Sequence, residues 1–464
     1  MTHPEEKCRA VRDFLIRAGL YRADDATGNH RFRIAVSPYP ISPDEHAWME
    51  ALGPRLLAFY RAMDDLYFQS VDGKAPGWIA AILDQGKPTR VVASGRAARF
   101  RSHLPGVIRP DLIPTDDGMI AVELDAVPGG IGLTAALSAA YEQAGDRPLG
   151  GADGMVSGFA RMIGALPPDA ALAMVVSEES NDYRPEMAWL ADALLRHGLC
   201  ATTVAPDDLA FDCDPLHVST ALGRRRVAVL YRFFELFDLP QVPNSTEILD
   251  AVETGCFHLT PPAKAHLEEK SMFALFWHPE LASFWRQRLD DETHATLSRL
   301  FPRTWLLDPA PLPPQTVIPD LTLAGRPVTD FRMLGAASQK GRRFVIKPSG
   351  FSPLAWGSRG VVIGHDLPTS EWKEAIDRAL AEFSTTPHLL QPFHKGKRVQ
   401  MAYCDFDRGE VREMEGRARL SPYYFVADGK TILGGILATV CPADKKRIHG
   451  MPDAVMAPCA VIAP

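Results

Sequence analysis

The spacing of apolar and polar residues gives the chain a helical beginning, an α/β middle and a strand-containing later part. Between residues 46 and 68, apolar side chains recur every three or four positions, which predicts an amphipathic helix. Similar spacing extends over much of residues 1–104. We therefore expect a mostly helical N-terminal segment that serves packing or covers a substrate.

The middle of the chain alternates strand-like and helix-like patterns. Residues 171–179 begin with a short apolar run typical of a buried strand, and residues 184–199 follow with helical spacing, Pro185 near the start and Gly198 near the end. Further strand-like runs lie at 200–206 and 225–233. This order predicts a parallel, Rossmann-like α/β unit. The GxGxxG dinucleotide fingerprint is absent after the first strand.

The later part begins with helical spacing over residues 260–300 and continues through a proline-rich connector at 308–320. Strand-like runs then occur at 344–348, 360–364 and 388–393. The whole pattern predicts an α/β protein.

One hairpin signal carries several charged residues. The sequence Thr-Asp-Asp-Gly at 115–118 separates two strand-like runs. If Asp116, Asp117 and Gly118 form a three-residue loop with Gly118 left-handed, Asp111 faces Glu123 and Arg109 faces Asp125. All four side chains then share one face, because strand residues alternate between faces. A two-residue loop would shift the register and break this grouping.

Two interpretations of this face remain open. Three carboxylates on one face repel each other unless cations neutralise them, and hard oxygen ligands favour Mg²⁺ or Mn²⁺. Alternatively, the residues form a solvated strand face with an Arg–Asp cross-strand pair.

A glycine-rich stretch follows the strand that ends near Lys347. Such a loop brings backbone N–H groups close to phosphates, although a plain hairpin with a surface lysine explains the pattern equally well. The candidate residues of this loop are Gly350, Gly357, Ser358, Arg359 and Gly360. The strand at 388–393 could offer backbone groups near Gln391 and Phe393 to a purine ring, or it could be an ordinary core strand.

Chain length and net charge limit the number of domains and the classes of function to expect. A chain of 464 residues exceeds the usual size of a single core, so we expect two or three domains. The formal net charge of -7 argues against a general binder of nucleic acids or membrane surfaces. The sequence contains no run of about 18 apolar residues that could span a bilayer.

The number and spacing of the cysteines indicate the cellular compartment of the protein. The seven cysteines are scattered and form no CxxC pair, which suits reduced thiols better than disulfides or a zinc site. The first residues also lack the apolar core of a signal peptide. We therefore expect a cytoplasmic protein.

Taken together, the hairpin, the Lys347 stretch and the strand at 388–393 resemble a circularly permuted ATP-grasp enzyme. They are most similar to the synthetase domain of glutathionylspermidine synthase, where an Arg-x-Asp pair is followed about a dozen residues later by Glu-x-Asn. Here Arg109 and Asp111 match the first pair, and Glu123 and Asp125 match the second, with Asp125 in place of the family's asparagine. Residues 268–276 resemble the first ATP-lysine segment and give Lys270, with Lys264 as a competing candidate.

The resemblance implies an ATP- and Mg²⁺-dependent carboxylate–amine ligase that forms an amide through an acyl phosphate. Its substrates would be a small-molecule or peptide carboxylate and an amine. Asp111, Glu123 and Asp125 would bind two Mg²⁺ ions, and Arg109 would stabilise charge on the transferring group. The implied nucleotide contacts are Lys270, Lys347, Ser358, Arg359, Gly360, Gln391 and Phe393. The alternatives are a phosphotransferase on the same scaffold and a nucleotide-binding protein without turnover.

The resemblance and the pattern together suggest four segments. Residues 1–104 are the helical segment, and 105–165 hold the hairpin and the following helix of the ATP-grasp core. Residues 166–255 form the α/β unit, and 256–464 hold the ATP-binding lid and the rest of the core.

Other polar residues are candidates for substrate contact or for ordinary loop roles. Asn181, Tyr183 and Arg184 follow the first strand of the α/β unit, where ligand loops commonly lie. Arg232 lies at the end of another strand of that unit. Lys445, Lys446 and His449 belong to a basic stretch that could meet phosphate or form a solvated loop.

Overall fold

The computed structural model describes residues 3–24, 30–209, 211, 216–446, 448–450 and 452–462. It divides into two compact units, each built from separate stretches of chain. The first unit comprises Met1–Leu57, Ala97–Ala263 and Gly396–Pro464, and the second comprises Ala58–Arg96 and Lys264–Lys395. This division differs from the four segments expected from the sequence, because residues 58–96 join the later part of the chain rather than the residues before them.

The helices and strands follow one another along the chain in the order given below. The helices are α1 Pro4–Arg17, α2 Pro43–Val71, α3 Trp78–Asp84, α4 Thr89–Arg96, α5 Ile131–Gln143, α6 Gly154–Ile163, α7 Arg184–Leu194, α8 Ser245–Thr254, α9 Ser271–Phe276, α10 Ala282–Arg288, α11 Asp291–Leu300 and α12 Thr369–Ala381. The strands are β1 Arg33–Ala35, β2 Tyr39–Ile41, β3 Val107–Thr115, β4 Gly118–Asp125, β5 Ala170–Val176, β6 Ala201–Val204, β7 His217–Thr220, β8 Gly223–Phe233, β9 His258–Thr260, β10 Trp305–Leu306, β11 Thr322–Leu323, β12 Arg326–Pro327, β13 Phe344–Pro348, β14 Val362–Ile363, β15 His388–Pro392, β16 Arg398–Asp405, β17 Glu410–Ala427, β18 Lys430–Pro442 and β19 Val455–Val461.

The first unit contains an eight-stranded sheet in the order β16-β1-β19-β18-β17-β3-β4, with β2 paired to β19. Its longest strands, β17 and β18, are joined by a turn at Asp428 and Gly429, whose φ angles are 50° and 72°. Positive φ at both central residues matches the right-handed twist of the strands, and Asp-Gly is a preferred sequence for such a turn. Helix α6 packs closely on this sheet, since a Cβ at Gly158 would lie 2.4 Å from the ring of Phe425.

A second sheet of the first unit has the order β6-β5-β8-β7, with β9 paired to β8. Strand β5 pairs in parallel with both β6 and β8, and α7 connects β5 to β6. All residues of β5 are buried, as its continuous apolar sequence indicates. Gly198 ends the helical stretch with a φ of 74°. Strand, helix and strand thus follow the expected order, with parallel pairing of β5 to β6 and β8.

The second unit contains a four-stranded sheet in the order β10-β15-β13-β14. The predicted strands at 344–348, 360–364 and 388–393 appear as β13, β14 and β15. Helix α12 covers this sheet and places Trp372 and Ile376 in a core that also includes Ile346 and Leu390. Apolar burial of this kind provides most of the stabilisation of a sheet.

The described cysteines are free thiols, namely Cys8, Cys200, Cys256, Cys404, Cys441 and Cys459. Cys213 lies outside the described residues. No helix in the described part of the chain is long and apolar enough to cross a membrane.

Candidate functional site

The hairpin of β3 and β4 pairs Arg109 with Asp125 and Asp111 with Glu123, as the sequence predicted. The loop differs from the prediction, because Thr115 pairs with Gly118 and two residues remain between the strands. A bulge after Asp111 restores the predicted register. An extra residue in one strand shifts all later pairs by one position, and here that shift compensates for the shorter loop.

We call Arg109, Asp111, Glu123 and Asp125 the hairpin face. The Arg109 guanidinium joins three groups: its Nε lies 3.2 Å from Asp111 Oδ1, its Nη2 lies 2.9 Å from Asp125 Oδ2, and its Nη1 donates to the Gly129 carbonyl at 3.2 Å. The Arg109 side chain is only 12% exposed. A guanidinium can make such contacts simultaneously because its donors lie in one plane.

Strand β17 adds residues to this face that the sequence analysis missed. Arg419 Nη1 lies 3.1 Å from Asp111 Oδ2, and the Ser421 hydroxyl donates to Asp111 Oδ1 at 2.9 Å. Asp111 is buried and so depends on these donors. The sequence pattern that could have predicted these residues is the Asp-Gly turn at 428–429, which marks β17 as a strand. Alternation along that strand then places Arg419 and Ser421 on one face.

The carboxylate oxygens of both aspartates of the hairpin face are bound by donors from the protein itself. Both oxygens of Asp111 are bound by Arg109, Ser421 and Arg419, as described above. Asp125 Oδ1 accepts the Val127 N–H at 2.8 Å, and its other oxygen meets Arg109. Burial raises the pKa of Asp125, and the positive charge of Arg109 opposes this shift.

The predicted metal ligands therefore do not fit a preformed metal site. Across the described residues, no group of three or more His, Cys, Asp or Glu side chains is arranged to hold a metal ion. The guanidinium groups of Arg109 and Arg419 already neutralise the aspartates, while Glu123 is half-buried opposite Asp111. The expected Arg109–Asp125 cross-strand pair is present, but the face is not solvated, because Asp111 is buried and the Arg109 side chain is only 12% exposed.

A second buried carboxylate, Glu186 of α7, caps the N-terminus of α5. It accepts the N–H of Gly130 at 2.7 Å and the N–H of Leu133 at 2.9 Å. Burial raises the pKa of Glu186 to about 7, although both backbone hydrogen bonds act in the opposite direction. A carboxylate at this position satisfies N–H groups that have no partner within the helix.

The turn before α5 is enclosed by two tyrosines. The Tyr423 hydroxyl donates to the Gly129 carbonyl at 2.8 Å, the carbonyl that also accepts from Arg109. A Cβ at Gly129 would lie 2.3 Å from the ring of Tyr183, and one at Gly130 would lie 2.4 Å from the Tyr423 hydroxyl. Glycine is required here by close packing, and the turn is held next to Arg109.

Two candidate substrate residues of the α/β unit have structural partners. Arg184 donates to Asn181 Oδ1 at 2.8 Å and to the Val176 carbonyl at 2.9 Å, which ties the loop to the end of β5. Arg232 is buried and donates to the backbone carbonyls of Phe234, Pro261 and Pro262. These contacts favour loop and core roles over substrate binding.

The basic stretch after β18 is largely solvated. Lys445 and Lys446 are exposed, and His449 makes a hydrogen bond of 2.8 Å from Nδ1 to the Gly450 carbonyl. A solvated loop describes these residues best.

In the second unit, the two predicted lysine segments lie against each other. Ser271, next to Lys270, donates its N–H to Ser349 Oγ at 3.3 Å, and the two hydroxyls are 2.9 Å apart. Ser349 follows Lys347, which lies on β13 opposite Leu389. The Lys270 ammonium donates to the Ala355 carbonyl at 3.3 Å within the glycine-rich loop.

The structure separates the two candidates for the first lysine. The Lys264 side chain is fully buried, and its ammonium lies 2.9 and 2.8 Å from the oxygens of Asp64. His266 also contacts Asp64 at 2.8 Å. Lys270 is half-buried and lies at the loop. An ammonium held in a buried ion pair is poorly suited to bind phosphate, so Lys270 is the better candidate.

The remaining predicted nucleotide contacts occupy different environments. Arg359 is exposed, and Gly360 donates its N–H to the Leu354 carbonyl at 2.7 Å. Ser358 ends the helical turn Pro353–Ser358, and its side chain lies outside the described part of the structure. The amide of Gln391 is buried and donates to Thr304 at 2.9 Å, so a nucleotide contact from Gln391 would use its backbone. Phe393 is half-buried, and its ring centroid lies 4.7 Å from that of His365.

Comparison with solved structures identifies the fold. A glutathione synthetase-like effector from Globodera pallida, in its apo form, matches over 100% of this chain and 98% of its own, with a TM-score of 0.56 and 12% identity. The chain shares the fold of this glutathione synthetase-like protein. Fold similarity at such low identity does not transfer an activity.

A second structure, of a candidate gamma-glutamylcysteine synthetase from Methylobacillus flagellatus, overlaps less well. It matches 78% of this chain and 81% of its own, with a TM-score of 0.41 and 12% identity, which is too little similarity to support an inference. No known family model and no curated protein sequence matches the chain.

Proposed function

We propose that the chain is an ATP-dependent carboxylate–amine ligase, in which the second unit binds the nucleotide. The observation that carries this proposal is the direct hydrogen bonding between residues 271 and 349, which holds the Lys270 segment against the root of the glycine-rich loop. Two lysines and a loop of closely packed backbone are suited to bind the phosphates of a nucleotide. The glutathione synthetase-like fold is consistent with this chemistry.

The proposed reaction has two steps. A substrate carboxylate oxygen attacks the γ-phosphorus of ATP, the bond to the β-phosphate oxygen breaks, and ADP leaves. The amine nitrogen then attacks the acyl carbon, phosphate leaves, and the amine loses a proton to give the amide. Lys270 and Lys347 of the second unit would bind the phosphates.

The order of these residues in the chain supports a circularly permuted arrangement. The hairpin face lies at 109–125, before Lys270 and Lys347 in sequence. The glutathionylspermidine synthase resemblance remains part of the proposal. The Mg²⁺ sites expected at Asp111, Glu123 and Asp125 are not part of it, because arginine already neutralises Asp111 and Asp125.

The decisive experiment measures ADP release with panels of acids and amines, with and without Mg²⁺. A ligase releases ADP and phosphate only when both an acid and an amine are present. ADP release with a single acceptor and a phosphorylated product would instead show a phosphotransferase. Nucleotide binding without turnover on any pair would identify a binding protein.

A further inference from the structure

A buried carboxylate lies at the root of the glycine-rich loop. Glu269 Oε1 is 2.6 Å from the ammonium of Lys87, and the two side chains are 3% and 1% exposed. Neither residue was a candidate from the sequence. Lys87 also donates to the Leu83 carbonyl, and its ammonium lies 5.6 Å from the ring centroid of Phe351.

The other oxygen of Glu269 collects donors from two segments. Glu269 Oε2 accepts the Ser271 hydroxyl at 2.9 Å and the Gly350 N–H at 3.3 Å, and it also accepts the Ser349 hydroxyl. A single carboxylate therefore connects Lys87, the Lys270 segment and the residues that follow Lys347. Charge-assisted hydrogen bonds of this kind are stronger than neutral ones.

The backbone around this carboxylate is tightly packed. A Cβ at Gly350 would lie 1.7 Å from the Glu268 carbonyl oxygen, so the loop begins in direct contact with the chain next to Glu269. The segment before Lys87 is fixed as well, because a Cβ at Gly86 would lie 1.9 Å from the Thr385 carbonyl oxygen. Gln85 also donates to the Phe383 carbonyl. Lys87 is thus held by contacts that do not involve the loop.

The glycine-rich loop spans residues 349–361, and its root is Ser349 and Gly350. We propose that Lys87 and Glu269 are positioning residues that fix this root for nucleotide binding. The nucleotide role rests on the function proposed above, whereas the fixing of the loop does not. Glu269 precedes Lys270, and Ser349 lies two residues after Lys347. A displacement of Glu269 would therefore change the relative position of both phosphate-binding lysines. A rigid loop root lowers the cost of ordering the loop around a ligand.

Hydrogen exchange without nucleotide tests the fixing of the loop. In Lys87→Met and Glu269→Gln, amides of residues 349–361 should exchange about tenfold faster or more, because the local opening is easier. Residues 107–125 of the first unit should be unchanged. Lys373→Met is the matched control, since Lys373 pairs with Asp377 at the surface. Equal loop exchange in wild type and both variants would overturn the inference.

Ser349→Ala is the gentler variant, in case removal of a buried charge prevents folding. It removes one hydroxyl donor to Glu269 and should loosen the same loop to a smaller extent. Unchanged loop exchange in this folded variant, with the charge variants unfolded, would also contradict the proposed role.

Nucleotide titration tests the second half of the inference. The variants should bind ATP about tenfold more weakly, with little change in turnover at saturating ATP, since the loop is looser but the lysines remain. A looser loop with unchanged ATP affinity would show that Lys87 and Glu269 do not position the nucleotide. If the wild-type protein binds no ATP, the proposed function fails, and the exchange result alone decides whether the residues fix the loop.

Discussion

The hairpin face and the glycine-rich loop hold their polar groups in different ways. On the hairpin face, cross-strand register brings Arg109 to Asp125 and Asp111 to Glu123, so the strands themselves set the geometry. The loop has no such ladder, and Glu269 together with Lys87 holds its root. We therefore expect charge substitutions on the hairpin face to change local stability. Charge substitutions at the loop root should instead change the mobility of the loop.

Asp111→Ala should have the largest effect on this comparison. The substitution removes the carboxylate shared by Arg109 and Arg419 and leaves two poorly exposed guanidinium groups undercompensated, at a cost of about 4 kcal/mol in unfolding free energy. Glu123→Ala, on the same face but half-buried, should cost less than about 1 kcal/mol. Urea unfolding of both variants provides the measurement. Equal costs would show that the pairs to Asp111 do not stabilise the face.

A pH effect is expected next to the hairpin face, at Glu186. Burial raises the pKa of Glu186 from 4.5 to about 7 in the folded protein, so the folded state binds more protons than the unfolded state between these values. Its contribution to stability is therefore greatest below pH 4.5 and falls by up to about 3 kcal/mol as the pH rises to 7.

Glu186→Gln tests this effect because glutamine keeps an oxygen acceptor and does not titrate. The variant should gain stability relative to the wild type as the pH rises from 4.5 to 7. Melting temperatures at several pH values measure this difference. A difference that stays constant with pH would indicate that Glu186 has an ordinary pKa.

At the loop root, Gly350→Ala should destabilise by about 2 kcal/mol, because the added Cβ would overlap the Glu268 carbonyl and force the backbone to move. Gly118→Ala is the control from the hairpin. Its φ of 120° disfavours alanine, but nothing lies within 4 Å of the added Cβ, so the cost should be nearer 1 kcal/mol. Thermal unfolding compares the two, and a larger loss for Gly118→Ala would reverse the expected order.

The smallest change concerns ligand binding. Lys347→Ala should weaken ATP binding about tenfold, equivalent to about 1.4 kcal/mol, because it removes a positive charge proposed to contact phosphate. Folding should be unaffected, since Lys347 is only half-buried. Titration with a fluorescent ATP analogue measures the affinity. Unchanged affinity would mean that Lys347 is not a nucleotide ligand.

The sequence predicted parts of the structure that depend on nearby residues. Period-two alternation identified the hairpin face, and the apolar run at β5 identified the parallel sheet. The register was correct although the loop was not, because the bulge compensated for the missing loop residue. Alternation alone cannot reveal such a bulge.

Partners that are distant in sequence were missed. Ser421 lies 310 positions from Asp111, and Lys87 lies far before Glu269, so no local pattern indicated that they meet. The choice between Lys264 and Lys270 also depended on a partner that is distant in sequence. Both were candidates for the first ATP lysine, and the partner Asp64, 200 positions from Lys264, distinguishes them.

The interleaved chain segments have a consequence for synthesis on the ribosome. The second unit is complete once residue 395 has been made, because it uses residues 58–96 and 264–395. The large sheet of the first unit must wait longer, since β1 lies between β16 and β19, which are both translated after residue 395. Domains generally fold as units during synthesis. The unit with the glycine-rich loop should therefore fold first, while β1 awaits β16 and β19, β3 awaits β17, and these strands are candidates for chaperone protection.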